Sequence, residues 1–398
     1  MSSRLVSFTE RIDAAPDLVS MVRGLGAYVW VREGDGFVAW GQAASINPGA
    51  GPERFERASS RLASLFDIAS IEDDVLRPGT GPIAYASYTF DPSTAGSRLV
   101  VPAVVVGRAG GECWVTVNGI VGDPVDEHAA AVGHAERVVS EEAWMRAVAR
   151  VRDQIRGGWL EKVVLARAVT VHGSFDPRAI AGALAEVYPQ CYTYCFDGLV
   201  GASPELLCRR TDALVESLVL AGTTRRSDDI AEDERLGATL FASSKERSEH
   251  ELAVGTVRDV LSLMCSELKV ETEPSLLGLA NVQHLATHLR GDLAEPATAL
   301  EIAGRLHPTA AVCGVPTHDA LALIRSLEGF DRGRYAGPIG WVDSRGDGEF
   351  AIALRCAEIS QNEARLFAGN GIVADSDPAA ELAETELKLR AVRSAMRA

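Results

Sequence analysis

Residues 160–171 read LEKVVLARAVTV. Val163, Val164, Leu165 and Ala166 form a short apolar run rich in β-branched side chains, the pattern of a strand covered on both faces. Lys162 stands at its leading edge. An ammonium entering such a strand snorkels out, meets a partner, or occupies a cavity that works against its charge. Just upstream, Trp144, Val148, Val151 and Ile155 recur at helical spacing between Glu141 and Ile155. Ser140 can cap that helix, two glutamates occupy its first turn, and Gly157-Gly158 ends it. A helix therefore runs straight into a buried strand that carries a lysine.

Outward from this stretch, strand signals come in clusters. A helix is predicted from about Asp176 to Glu186, then strands at CYTYCF, GLVGAS, ELLCRR and LVESLVL. A long helical stretch covers about Glu232 to Leu268. Strands return at VQHLATHLRG, GPIGWVD, FAIALRCAEI and ARLFAGNGIV, and a last helix starts at Pro378 after Asp377. Residues up to about Asp126 read as strands and loops, with candidates GAYVWV, FVAWG and LVVPAVVVG. DPVDEHAAAVGHAERVVSEE reads as a connecting or helical region. Clusters without strict β-α alternation predict an α+β fold with large antiparallel sheets.

Composition narrows the function. The chain has 398 residues, 47% hydrophobic and 24% charged, the balance of a globular protein with a large core. A net charge of −16 repels nucleic acid and anionic membrane. The N-terminus has charges where a signal peptide needs an apolar core, and Leu99–Val106 is too short to span a bilayer. A cytoplasmic location is expected. Seven scattered cysteines, an odd number, read as free thiols.

No phosphate loop, nucleophile elbow or complete dinucleotide fingerprint occurs. His284 and His288 have the spacing of a helical zinc pair, but the intervening glutamate is missing and the flanks read as strand and loop. Two acidic helices are more informative. Glu246 and Glu249 are three residues apart, as are Glu381 and Glu384, with Lys388 one turn beyond. Facing each other, such helices could surround a hard divalent cation; the same spacing also suits two solvated faces. Glu205 in GASPELLCRR enters an apolar strand as Lys162 does. The two fit either an acid-base pair or a buried ion pair. LAGTTRR and FAGNGIV read as glycine turns, able to approach a carboxylate or simply to reverse the chain. Arg355, inside a strand pattern, suits an anion or, on an edge strand, solvent.

Taken in order, KVVLAR, GASPELL, LAGTTRR, SSKERSEHEL, VQHLATHLRG, LHPTAAVCGVP, FDRGRYAGPIGW, IALRCAEI, FAGNGIV and ELAETELKL resemble the chorismate-utilising enzymes, above all their isochorismate synthase branch. The resemblance covers roughly Glu141 to the C-terminus and is weaker upstream. It implies two large stacked antiparallel sheets flanked by helices, with an N-terminal part (1–135) and a chorismate-binding catalytic region (136–398) in one structural domain. It implies Lys162 as the base that activates water and Glu205 as the acid that protonates the departing hydroxyl. Burial and a nearby cation would favour the neutral lysine, and desolvation the neutral acid. Glu249 and Glu384 match ligands of Mg2+, with Glu246 and Glu381 behind them. Gly222 and Thr223 would meet the ring carboxylate. Tyr335, Arg355 and Gly369 would hold the enolpyruvyl carboxylate, with Lys388 nearby and His284 lining the pocket.

The branch follows from details. Anthranilate synthases usually have glutamine at the Lys162 position, and aminodeoxychorismate synthases usually have lysine at Ala221. Salicylate synthases share Lys162 and Glu205, but tend to have threonine at Ala311. Isochorismate is thus the expected product, with salicylate synthase, or a non-catalytic chorismate-binding homologue, as the alternative. A monomer acting on a small molecule is expected, without a glutaminase partner. Ser248, Ala310 and Asn370 depart from the family pattern, which has histidine, proline and alanine there.

Overall fold

A computed structural model describes residues 4–13, 17–25, 28–126 and 139–397. Most of the connecting region before Ser140 lies outside them. The described strands form one twelve-stranded and one eleven-stranded sheet, almost wholly antiparallel. The sheets face each other across an aromatic core: Tyr85 stacks on Phe196 with ring centroids 5.5 Å apart, and Phe37 meets Trp341 edge-on at 5.5 Å. Helices cover the outer faces. No described helix is long and apolar enough to cross a membrane.

Both sheets mix strands from the two ends of the chain. Tyr28–Arg32 pairs with Tyr192–Phe196 in the larger sheet, and Ile83–Ser87 pairs with Pro338–Asp343 in the smaller. The run at residues 99–106 is not one strand. Pro102 lacks a backbone donor, and the chain divides there into Arg98–Val101 in the smaller sheet and Val104–Ala109 in the larger.

Several expectations are corrected. The N-terminal part contains helices at Leu18–Leu25 and Arg54–Asp67; the second buries Phe55, Ala58, Leu62 and Leu65 at helical spacing. The predicted helix from Glu232 to Leu268 is two helices, Ile230–Ala242 and Ser244–Ser262, followed by the strand Cys265–Val270. Ser243 is the break: it ends the first helix, and its side chain accepts a hydrogen bond from Glu246 N to cap the second. LAGTTRR is no turn either. Its residues through Arg225 lie in the long strand Leu214–Arg225, where the register shifts between Ala221 and Thr223. FAGNGI likewise lies inside the strand Glu363–Ile372. Arg355 falls in the gap between Gly348–Ile352 and Cys356–Ile359, with φ of 50°.

Candidate active site

The chain passes from one sheet to the other repeatedly, and two of these crossings carry a candidate residue. Glu205 lies between Leu199–Ser203 of the larger sheet and Leu206–Thr211 of the smaller. Arg355 lies at the return crossing. Such a seam interrupts ladder pairing and leaves room for side chains. A narrow cleft opens there.

Lys162 is the first residue of Lys162–His172 and is fully buried. Its Nζ stands 3.1 Å from Glu249 Oε1. That is an ion-pair distance, but the amine lacks hydrogen-bond geometry to any acceptor, so the contact is electrostatic and its protons are undirected. Gly371, opposite Val164 on the neighbouring strand, makes the pair possible. A Cβ at residue 371 would come within 2.1 Å of Glu249 Oε1 and 2.6 Å of Lys162 Cε. Beneath this strand, the buried Arg332 forks onto Glu328 and also donates to the carbonyls of Val164 and Val312. Glu328 accepts from Ala166 N at 2.7 Å, so the pair braces the strand that holds the lysine.

Glu205 is only 4% exposed. Burial pushes its carboxyl up to about 8, against the smaller opposing pull of Lys162 and a backbone hydrogen bond. At neutral pH it is a neutral acid with a proton to give.

The smaller sheet supplies the opposite wall. Gly222 takes φ of 75° at the register shift, and a Cβ there would press on Glu246 at 3.2 Å. Thr223 N then donates to Glu246 Oε2 at 3.3 Å. His284, across the ladder from Thr223, is held in one tautomer. Arg355 can only donate, so His284 Nε2 accepts from it at 3.0 Å, and the ring proton lies on Nδ1, near Thr223 Oγ1 and the Gly222 carbonyl. Burial first, then the Arg355 charge, holds this imidazole far below its usual range, so it stays neutral. Among the described residues Arg355 has no carboxylate partner, which leaves a directed cation in the cleft wall. Tyr335, Ala311 and Gly369 complete the lining.

The acidic helices converge as their spacing allowed. Glu249 and Glu384 line the cleft; Glu246 and Glu381, one turn away on the same helices, do not. Burial raises Glu246 and Glu381, and the neighbouring charges of Glu249 and Glu384 respectively raise them further. Three lysines meet the excess charge. Lys162 pairs with Glu249, Lys388 with Glu384 at 2.7 Å, and Lys245 with Glu381 at 3.0 Å. As the side chains stand, no three described acidic, histidine or cysteine groups form a closed metal cage. The donor chemistry nevertheless fits a hard divalent cation: all-oxygen, mutually repelling, and open on the cleft side.

Sequence reasoning missed Lys245, Arg332 and the brace at Glu328. Lys245 had a signal, since SSKE carries a serine three residues before a glutamate and so starts a helix next to the lysine. Arg332 had only the four-residue spacing from Glu328, which reads as an ordinary local pair; its bonds to the Val164 and Val312 carbonyls are long-range and leave no mark in the sequence.

Known proteins resemble this chain throughout. The family described as chorismate binding enzyme matches residues 123–397. Isochorismate synthase DhbC of Bacillus subtilis is 35% identical over 360 residues, covering 87% of both chains. Isochorismate synthase MenF of the same organism is 32% identical over 380 residues, covering 86% of this chain and 80% of its own length. The solved structure of MenF, the menaquinone-specific isochorismate synthase of Escherichia coli, superposes with a TM-score of 0.79 at 27% identity, covering 99% of this chain and 95% of that one.

Proposed function

The chain belongs to the chorismate binding enzyme family, and from that membership we infer that it is an isochorismate synthase, an isomerase that converts chorismate to isochorismate. One observation supports this chemistry above the rest: a fully buried lysine, its amine without a directed acceptor, stands 3.1 Å from the cleft-lining Glu249, and the same cleft is lined by a buried glutamic acid that is protonated at neutral pH.

Water is the nucleophile. Lys162, acting as the neutral amine, takes a proton from it as its oxygen bonds to ring carbon C2. The ring double bonds shift, the C4–oxygen bond breaks, and Glu205 protonates the departing hydroxyl, so water leaves as water enters. Gly222 and Thr223 place backbone near the ring carboxylate. Arg355, aimed by His284, receives the enolpyruvyl carboxylate beside Tyr335. Glu249 and Glu384 would hold Mg2+, which when bound neutralises the ring carboxylate and fixes the ring in place. Because water rather than ammonia attacks, no glutaminase subunit is required.

The state of Glu205 sets a pH limit. The acid must be protonated to act, so kcat/KM is expected to fall about tenfold per pH unit above ~8. Stability runs the same way. A folded-state value raised above the usual 4.5 contributes stability that is full below 4.5 and lost as pH rises through about 8. Glu205→Gln should therefore melt close to wild type near pH 4.5 and increasingly above it up to pH 9, while turning over poorly throughout. A flat kcat/KM profile to pH 9.5 would remove Glu205 from the acid role.

The product follows from the arm. Loss of pyruvate needs the enolpyruvyl side chain folded over the ring, a geometry in which small displacements cost ~10²-fold. Ala311 leaves the cleft wall short and apolar where that arm would be held. Chorismate and Mg2+, incubated with the protein alone, should give isochorismate with little pyruvate on chromatography. Salicylate and pyruvate in equal early amounts would make the chain a salicylate synthase instead.

A further inference from the structure

We propose that Asn370 is a positioning residue that fixes the Glu381 carboxylate and the Lys388 ammonium, and through them the cation-holding face of the last helix. Asn370 lies between Gly369 and Gly371 in the strand Glu363–Ile372 and is 2% exposed. The two glycines line the cleft. By the alternation of a strand, Asn370 turns to the other face, beneath the helix Pro378–Ala395 that carries Glu381, Glu384 and Lys388.

Its amide is used almost to capacity. Nδ2 donates to the Glu381 carbonyl at 2.7 Å and to Glu381 Oε2 at 3.0 Å. Oδ1 accepts from Lys388 Nζ at 2.8 Å. The amide orientation is set by these partners, since only an NH2 group can face a carbonyl and a carboxylate, and only an oxygen can face an ammonium. Lys388 has one further acceptor, the Gly369 carbonyl at 3.0 Å, and forms an ion pair with Glu384 Oε1 at 2.7 Å. Two of its protons are thus directed at oxygens of the strand, and its charge faces Glu384. Lys388 accordingly serves as a strut between the strand and Glu384 at the cleft wall. Glu381 is held twice as well: Asn370 takes Oε2, and Lys245 takes Oε1. One buried amide thereby links both acidic positions of this helix to the strand that forms the cleft floor. Groups that orient ligating side chains in this way typically contribute 10–100-fold to metal affinity.

The inference rests on the carboxylates holding a divalent cation, and the test separates the two claims. Mn2+ is titrated into the purified full-length protein, without substrate, and free ion is followed by electron paramagnetic resonance. Asn370→Ala should weaken Mn2+ binding about tenfold or more. Its kcat at saturating Mg2+ should stay within about threefold of wild type, because the amide touches neither water nor ring. In a Glu381→Gln background the same substitution should change affinity less than about twofold, since the oxygen it orients has been altered. Asn370→Ser, whose hydroxyl is too short to span both partners, should weaken binding at least about fivefold and serves if the alanine variant does not fold. Wild-type protein that binds no Mn2+ overturns the cation reading and this inference with it. Wild-type binding with an unaffected Asn370→Ala, or an equal loss in both backgrounds, overturns this inference alone.

Discussion

Lys162→Ala is expected to lower kcat by ~10²–10⁴-fold, the usual contribution of a general base, while chorismate and the divalent cation still bind. The expectation comes from position. The amine is fully buried, 3.1 Å from one carboxylate oxygen, and points no proton at it. Its removal leaves Glu249 in the cleft wall, where bound Mg2+ would replace the lost countercharge. Removing one partner of a buried pair also costs stability, so Lys162→Met, which keeps the aliphatic bulk without the amine, separates folding from chemistry. Calorimetric chorismate binding, melting curves and single-turnover product formation should be measured on all three proteins. If the methionine variant melts like wild type and turns over at a near-native rate, Lys162 is not the base.

Glu249→Ala should be at least as damaging. Loss of a residue behind a metal site typically costs 10–100-fold in affinity, and Glu249 belongs to the inner pair. We expect no activity above background at millimolar Mg2+, and chorismate binding weakened because cation and ring carboxylate share the site. Glu249→Ala also leaves the buried Lys162 without its nearest carboxylate, which alone would disturb the base. Glu384→Ala is the cleaner companion: Lys388 keeps Asn370 and the Gly369 carbonyl, and so stays in place. Both variants should lose Mn2+ binding by resonance titration. Full wild-type activity in excess chelator would rule out a required cation and leave the four glutamates as a charge network balanced by lysines.

How much of this was legible beforehand depended on the range of the forces involved. Lys162 announced itself because a charge beside Val163 and Val164 violates the local pattern. Asp377-Pro378 marked a helix start, and the paired glutamates marked a face, because both signals repeat within one turn. The bulge at Gly222 was not legible: LAGTTRR has turn composition, and only pairing with residues 282–292 keeps it extended. The same holds for FAGNGI, where Asn370 faces Leu165 across the sheet. The Arg332 bonds to the Val164 and Val312 carbonyls likewise answer to segments far away in sequence. Resemblance supplied the roles; spacing alone favoured solvated faces for the acidic helices and plain turns for the glycine loops, and left Lys162 and Glu205 open between an acid-base pair and a buried ion pair.

The mixing of both chain ends in both sheets bears on how the protein is made. Ile83–Ser87 has no neighbour on one side until Pro338–Asp343 is synthesised, and Lys162–His172 lacks its main partner until Glu363–Ile372 emerges. A ribosome delivering ~5–20 residues each second thus holds apolar strand edges open for many seconds. Long-range pairing of this kind is slow and leaves edges exposed to other chains. Nascent chains of this enzyme should lean on holding chaperones over most of their length, and the lysine's pocket should close only when the final helix is nearly released.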